Sequence, residues 1–275
     1  MLLGGFDGIH IGHKTLLDEA LKTGLPVGIT SICGAKAGGD LYTFSEREHV
    51  YNAAGCAFMW EIPFTPELKE TSPVAFLKSV FSRFRVKAVF CGEDFTFGKN
   101  AAGTPELLKK IAPCPVYALK LKTVNGMKVA STQIKRLLSE GNMREANALL
   151  IGGFFLQGVV EYGRRVGHSL GFPTVNLTYP QEKFPVREGV YGGYAETAAG
   201  RFPAIVNLGA RPTFGVTERK TEAYLDGFNG DLYGQTVRIY PTEFYRPIKK
   251  FESREQLIEQ LQKDIARLRA EVKHD

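Results

Sequence analysis

No run of 18 apolar residues, no C-x-x-C pair, no low-complexity stretch, no internal repeat and no basic tail occurs in this chain. The first absence excludes a transmembrane helix. Met1-Leu2-Leu3 runs straight into Gly4-Gly5, which leaves no apolar segment for a secretory signal. Cysteine is scarce: Cys33, Cys56, Cys91 and Cys114 stand far apart, with no histidine pair near any of them. That scatter excludes a disulfide framework or a zinc site and fits reduced thiols in a cytoplasmic protein. The basic excess is small and evenly spread, with 18 Lys/Arg against 14 Asp/Glu in residues 1–150 and 17 against 15 in the remainder. An even excess suits small anionic ligands at least as readily as nucleic acid; neither a nucleic acid nor a membrane partner is expected.

What is present is the composition of a folded protein, 44% apolar and 23% charged, on a chain of 275 residues with room for two domains. The first half alternates two kinds of segment. β-rich apolar runs cover 26–32, 57–62, 86–91 and 115–119, and helical patterns cover 14–22, 45–54, 73–84 and 105–111. Short strands separated by helices predict a parallel sheet with helices on both faces, whose ligands lie at the carboxyl ends of the strands.

Three motifs fall where such a sheet would place ligands. Gly4-Gly5-Phe6-Asp7-Gly8-Ile9-His10-Ile11-Gly12-His13 joins the end of a strand to the start of a helix. Its glycines bare backbone N–H groups at a helix N-terminus, an anion site. His10 and His13, three apart, share a face on a first helical turn, where they could donate to a phosphate, hold a metal or cap the helix. Gly92-Glu93-Asp94-Phe95-Thr96-Phe97-Gly98 follows the 86–91 run. Phe95 and Phe97, alternating in an extended segment, line a flavin or adenine pocket or else tuck into the core. Ser131-Thr132-Gln133-Ile134-Lys135 opens a helix over 132–140, with Ser131 as its N-cap.

After a short helix over 143–150, Ile151-Gly152-Gly153 marks a boundary, giving domains of residues 1–150 and 151–275. Six β-rich runs then follow at 155–162, 174–177, 190–196, 201–208, 221–225 and 235–240, separated by Gly and Asn turns. That pattern predicts a small antiparallel barrel or sandwich. Ser253-Arg-Glu-Gln256 is a capping box, and Leu257, Leu261, Ile265, Leu268 and Val272 form the apolar stripe of a closing helix. Within the second half, Gly163, Gly167 and Gly171 stand four apart and free the backbone to approach a ligand closely. Pro173 turns the chain onto a strand, and alternation sets Thr174 and Asn176 on one face. Two short oxygen ligands after an amide-rich loop suit a magnesium-bound phosphate; a hairpin with a buried polar pair fits the same spacing.

Gly-Phe-Pro-Thr-x-Asn resembles the riboflavin kinase signature, and the motifs of the first half resemble those of FAD synthetases. The chain is identified as resembling the bifunctional bacterial riboflavin kinase/FAD synthetase family. Asn207-Leu-Gly209-Ala-Arg211-Pro212-Thr213-Phe214, Glu222-Ala-Tyr224 and Gly230-Asp-Leu-Tyr233-Gly234 extend the likeness over most of the second half. The resemblance implies a Rossmann-like nucleotidyltransferase domain followed by a β-barrel kinase, with Mg²⁺, ATP, riboflavin, FMN and FAD as cofactor, substrates and products. It implies Glu222 as the base for the riboflavin 5′-hydroxyl, with Asp226 as the rival on the same segment, and His10 and His13 as the catalytic groups of adenylylation. It assigns ATP and phosphate binding to Gly4, Phe6, Asp7, Gly12, Ser131, Thr132 and Lys135 in one half, and to Gly163, Gly167, Gly171 and Pro173 in the other. Asp94, Phe95, Phe97 and Arg211 would meet the flavin, and Thr174 and Asn176 the metal. Departures are Ser31-Ile32-Cys33-Gly34-Ala35 where relatives carry Pro-His-Pro, Lys135 and His168 for arginines, Gln133 where a second arginine is frequent, Asp226-Gly227 for Leu-Asp, and only Met1–Leu3 ahead of Gly4. They keep two other readings open: a kinase with a silent nucleotide- or flavin-binding first half, and a non-enzymatic flavin- or RNA-binding protein.

Overall fold

The computed structural model describes residues 1–34, 38–124, 126–162, 172–213 and 216–272, and of residues 210–213 and 216–218 the backbone alone. By contacts the chain forms two units, Met1–Gln133 with Leu149–Ile151, and Ile134–Ala148 with Gly152–Asp275. Among the described residues no helix is long and apolar enough to cross a membrane.

The first unit is a parallel sheet of β1 (Gly28–Cys33), β2 (Phe58–Pro63), β3 (Val89–Gly92) and β4 (Val116–Leu119), with a short antiparallel pair, β5 (Thr123–Val124) and β6 (Met127–Lys128), after it. Met1–Leu3 lies at its centre. Leu2 bridges in parallel to Ile29 on one side and to Phe90 on the other. Its N–H donates to the Gly28 carbonyl at 2.8 Å, and Leu3 N–H to that of Phe90 at 3.0 Å. Three residues therefore suffice to join the β1·β2 and β3·β4 pairs. From this central segment the chain builds β1 and β2 outward on one side, then crosses to build β3 and β4 on the other. That reversal opens a crevice beyond the carboxyl ends of Met1–Leu3 and β3.

Helices start where the sequence supplies caps. Thr43, Ser72 and Thr104 accept from the third N–H of α2 (Phe44–Ala53), α4 (Pro73–Arg83) and α5 (Pro105–Ile111), and Thr65 does the same for the short α3 (Pro66–Glu70). Proline at the first position of three of these helices removes a donor that would have had no intrahelical acceptor. Phe76, Leu77 and Val80 of α4 and Leu108 of α5 bury against Leu3, Val89 and Cys91. Burial pushes the Cys56 and Cys91 thiols up to about 11, so both stay protonated near neutrality.

A buried ion cluster holds the loop after β1. Arg47 on α2, 4% exposed in its side chain, donates to Asp40 at 3.3 Å and also pairs with Glu61 on β2. The Asp40 carboxylate accepts in turn from Gly34 N–H at 3.1 Å. Removing one member of such a cluster strands the others without a counter-charge. Arg47→Met is therefore expected to destabilise the first unit by about 3–5 kcal/mol, read as a lower denaturant midpoint at unchanged slope.

The second unit contains α6 (Ser131–Glu140) from Ile134 onward, α7 (Met143–Leu149) up to Ala148, and a six-stranded antiparallel sheet in the order β7-β12-β9-β10-β11-β8. The strands are Leu156–Val159, Thr174–Thr178, Gly189–Thr197, Gly200–Thr213, Val216–Leu225 and Thr236–Arg246, numbered β7 to β12 in chain order. A single bridge between Glu161 and Asn176 brings the β7 end of this order to β8, so the sheet forms a nearly closed barrel. β10, β11 and β12 run several residues beyond the predicted spans. Pro203, Pro212 and Pro241 lie inside β10 and β12 and hide their length; Pro241 stands at a register shift of the kind that tolerates proline. Two further corrections concern helix starts. The helix predicted from Thr132 begins at Ser131, which is thus its first residue rather than its cap. Ser253 caps the closing helix Arg254–Val272 by accepting from Gln256 N–H at 3.3 Å, but the Gln256 side chain accepts from Glu252 N–H, one residue before the cap.

Candidate active site

The crevice of the first unit is a cleft of about 230 Å³ whose lining includes Gly4, Phe6, Asp7, Gly8, His10, His13, Asp94, Phe95, Lys128 and Ser131. Its glycine-rich wall is fixed from behind. Ser31 Oγ and Tyr51 Oη both donate to the Phe6 carbonyl, at 2.8 and 2.5 Å. Asp7 Oδ1 accepts from Leu41 N–H at 2.7 Å, so Asp7 braces the wall with one carboxylate oxygen. Gly8 has φ +153°, and a Cβ there would meet the Tyr42 ring at 2.7 Å. A Cβ on Gly12 would lie 2.9 Å from His10 Nδ1, so only glycine lets that ring fold over the turn.

His10 and His13 stack with ring centroids 3.6 Å apart and planes 19° from parallel, and Phe6 meets His13 edge-on at 4.6 Å. The pair forms ahead of the helix rather than on its first turn, because α1 (Lys14–Leu21) starts after both. His13 occupies the cap position without a side-chain cap bond, which removes the capping reading. The segment Leu149–Ile151 returns to hold the turn: Ile11 N–H donates to the Leu149 carbonyl and Ile151 N–H to that of Ile9, both at 2.9 Å.

Not every expected residue reaches the cleft. Phe97 is 7% exposed, in the core with Phe76 at 5.8 Å, and stacks at 5.3 Å behind Phe95, which does line the cleft. Phe97 therefore lies outside the lining of the cleft, packed behind Phe95. Asp94 pairs with Lys128 at the rim. Thr132 is exposed outside the lining. Lys135, expected on the ATP phosphates, is buried in the second unit with its ammonium 5.6 Å from the Phe184 ring centroid. Its position four residues after Ser131 places it on the inward face of an amphipathic helix.

In the barrel, register does the assembling. Glu222 pairs with Asn176 on one side and Asn207 on the other, and Tyr224 pairs with Thr174. Thr221, Ala223 and Leu225 are buried on the opposite parity of β11, as are Ala204, Val206 and Leu208 on β10. Asn176, Glu222 and Asn207 thus form one row across three strands on the face turned from that core. Asn176 Nδ2 donates to the Thr174 carbonyl at 3.3 Å, which leaves the amide oxygen as the end suited to a cation. Phe172 meets Tyr224 edge-on at 5.7 Å, and both pack against Ile265 and Leu268 of the closing helix; of the predicted stripe, Val272 is exposed. Pro173 is exposed at the head of β8. Gly163, Gly167 and Gly171, His168 and Ala35 lie outside the described residues, as does the Arg211 side chain.

The rival base is placed otherwise. Arg269 of the closing helix donates to both Asp226 oxygens at 2.8 Å, and these bonds hold the Asp226 carboxyl below the usual carboxylate range. A carboxylate so engaged is a poor proton acceptor. Because the folded-state pKa is the lower one, the tie stabilises above about pH 4 and fades as pH falls through the folded value. Asp226→Asn is expected to leave chemistry at Glu222 near wild type while melting slightly earlier at pH 7. The two melting curves should converge below about pH 4. Sequence reading missed this tie and the Arg47 cluster, since partners 43 and 14 residues apart leave no local signal. It also left Asn207 without a role, although its parity with Gly209 already set it opposite Val206 and Leu208.

Residues 1–133 match the family model for FAD synthetase, and residues 150–272 that for riboflavin kinase. With an α/β unit that has a switch-point cleft, followed by a nearly closed antiparallel barrel, these two matches define a two-domain flavin-nucleotide transferase. The chain belongs to the bifunctional riboflavin kinase/FMN adenylyltransferase family. Proteins of that description from Listeria monocytogenes and Bacillus subtilis are 29% and 28% identical to it, each over 96% of this chain and 89% of theirs. One from Escherichia coli K12 is 27% identical, over 96% and 90%. A solved chain from Streptococcus pneumoniae, described as a macrolide-efflux protein, is 28% identical with a TM-score of 0.84, over 98% of this chain and 92% of that one.

Proposed function

We infer that the second unit transfers the γ-phosphoryl group of ATP to riboflavin, and that the first joins the FMN so formed to the AMP moiety of ATP. The observation that carries this reading is the presence of two separately built sites, the paired histidines at the switch-point cleft and the Asn176–Glu222 row on the barrel. We place the boundary between the two enzymes at Leu150–Ile151 and the protein in the cytoplasm, as its four free thiols favour. The match of residues 1–133 to FAD synthetase sets aside the readings with a silent first half or no catalysis.

In the kinase step the riboflavin 5′-oxygen attacks the γ-phosphorus, its proton passes to Glu222, and ADP leaves. The donor set fits a hard cation: Mg²⁺ on the nucleotide would be held by Thr174, Asn176 and phosphate oxygens, neutralising charge on the moving phosphoryl group. Glu222 sits one strand from Asn176, so base and phosphate end are held side by side by the ladder itself. In the adenylyl step an FMN phosphate oxygen attacks the α-phosphorus and pyrophosphate leaves, with no protein nucleophile required. His10, His13 and the bared N–H groups before α1 donate to the phosphates as charge accumulates, and Phe95 offers a flat face to a ring of the substrate. Incubation with riboflavin, ATP and Mg²⁺, followed by chromatography, is expected to give FMN and then FAD. FMN alone, even with FMN and fresh ATP supplied, would overturn the adenylyl half; neither product would overturn both.

A further inference from the structure

Asn207 carries a polar group for which the described residues supply no partner. Its Oδ1 is buried and makes no hydrogen bond among the described residues. Several of its neighbours on that face are apolar. Ile205 and Val190 belong to the cluster under the closing helix, and Ile248 lies so close that a Cβ on Gly209 would meet it at 2.5 Å. Directly across the ladder on β11 is Glu222. An amide oxygen buried without a partner lowers stability, and a bound ligand is one thing that can complete it.

The order of the row says what that is. Asn176, on the phosphate side, and Asn207 flank Glu222 on opposite strands. With the reacting hydroxyl at Glu222 and the phosphoryl donor on the Asn176 side, the body of the acceptor extends toward Asn207. Adjacent strands lie about 4.7–4.9 Å apart, which brings a hydroxyl neighbouring the reacting end of a polyol chain against the amide. A hydroxyl both donates and accepts, so it satisfies the amide in either orientation. We propose that Asn207 binds a secondary hydroxyl of the riboflavin ribityl chain and thereby selects and aligns the polyol for phosphorylation at its terminal oxygen. The inference rests on riboflavin being phosphorylated at this row.

The test uses the full-length chain, with conversion of FMN to FAD as an internal control. Asn207→Leu is expected to raise KM for riboflavin about ten- to hundredfold, to leave FMN adenylylation unchanged, and to melt at the same or a higher temperature, since an unpartnered amide has been replaced by an apolar group. Riboflavin analogues lacking single ribityl hydroxyls then read the contact directly. One of them should lose the same factor with the wild type and lose nothing further with Asn207→Leu. If leucine does not fit, the same coupling is read with Asn207→Ala. An unchanged KM, or equal losses for every analogue in wild type and variant, would overturn the proposal. Near-normal turnover by Glu222→Gln would remove Glu222 as the base but would leave the Asn207–hydroxyl coupling to be observed or not.

Discussion

Replacing Glu222 by glutamine is expected to slow riboflavin phosphorylation by about 10²–10⁴-fold while the protein stays folded, binds flavin and still converts FMN to FAD. The size follows from the loss of a positioned general base, equivalent to about 3–5 kcal/mol of transition-state stabilisation. The substitution is nearly isosteric and keeps the row Asn176–Glu222–Asn207 in register, so the ladder should persist. The fall should therefore appear in kcat more than in KM for riboflavin. Stopped assays with riboflavin and, separately, with FMN as substrate divide the two activities. Turnover near that of the wild type would remove Glu222 from the chemistry, and Asp226 would be a poor replacement because Arg269 already occupies both its oxygens.

His10→Ala is expected to produce the mirror image. FAD formation from FMN falls by about 10²–10³-fold, the range for removing a donor that stabilises developing charge, and FMN formation continues. Two effects reinforce each other here. The ring that would face the phosphates is lost, and so is the surface against which His13 stacks at 3.6 Å. The backbone turn itself should survive, because it is held by the Leu149 and Ile9 carbonyls and not by the imidazole. His13→Ala tests the partner: a smaller loss would make His10 the principal donor, and an equal one would mean that the stack acts as a unit. If His10→Ala abolished both activities, the division of labour between the two units would be wrong.

These outcomes depend on features that differ in how openly the sequence announces them. The α/β alternation was legible because short β-rich apolar runs alternate with helical patterns along the first half, and α2, α4 and α5 form close to those patterns. Thr174 and Asn176 share a face through period-2 parity, which a sequence does display, whereas Glu222 reaches Asn176 only through the register of β8 with β11, which it does not. The length of β10 and β12 was not legible, since prolines and glycines inside them read as breaks, and the register that tolerates those residues is a property of the paired strand. Nor could spacing tell which of Phe95 and Phe97 faces the opening, or that Lys135 turns inward. Each depends on which side of an element another element covers. The Arg47 cluster lay furthest from view: it unites Asp40, Arg47 and Glu61 across a helix and a strand, and no periodicity connects them.

That two chemistries reside in two separately built sites is the central claim, and mixing the two variants tests it most directly. Supplied with riboflavin, ATP and Mg²⁺, Glu222→Gln should make almost no flavin nucleotide and His10→Ala should stop at FMN. An equimolar mixture should make FAD, because FMN released by one protein is taken up by the other. Variants that each retained their own half-reaction yet produced no FAD when mixed would contradict the account, since the two steps would then not be separable.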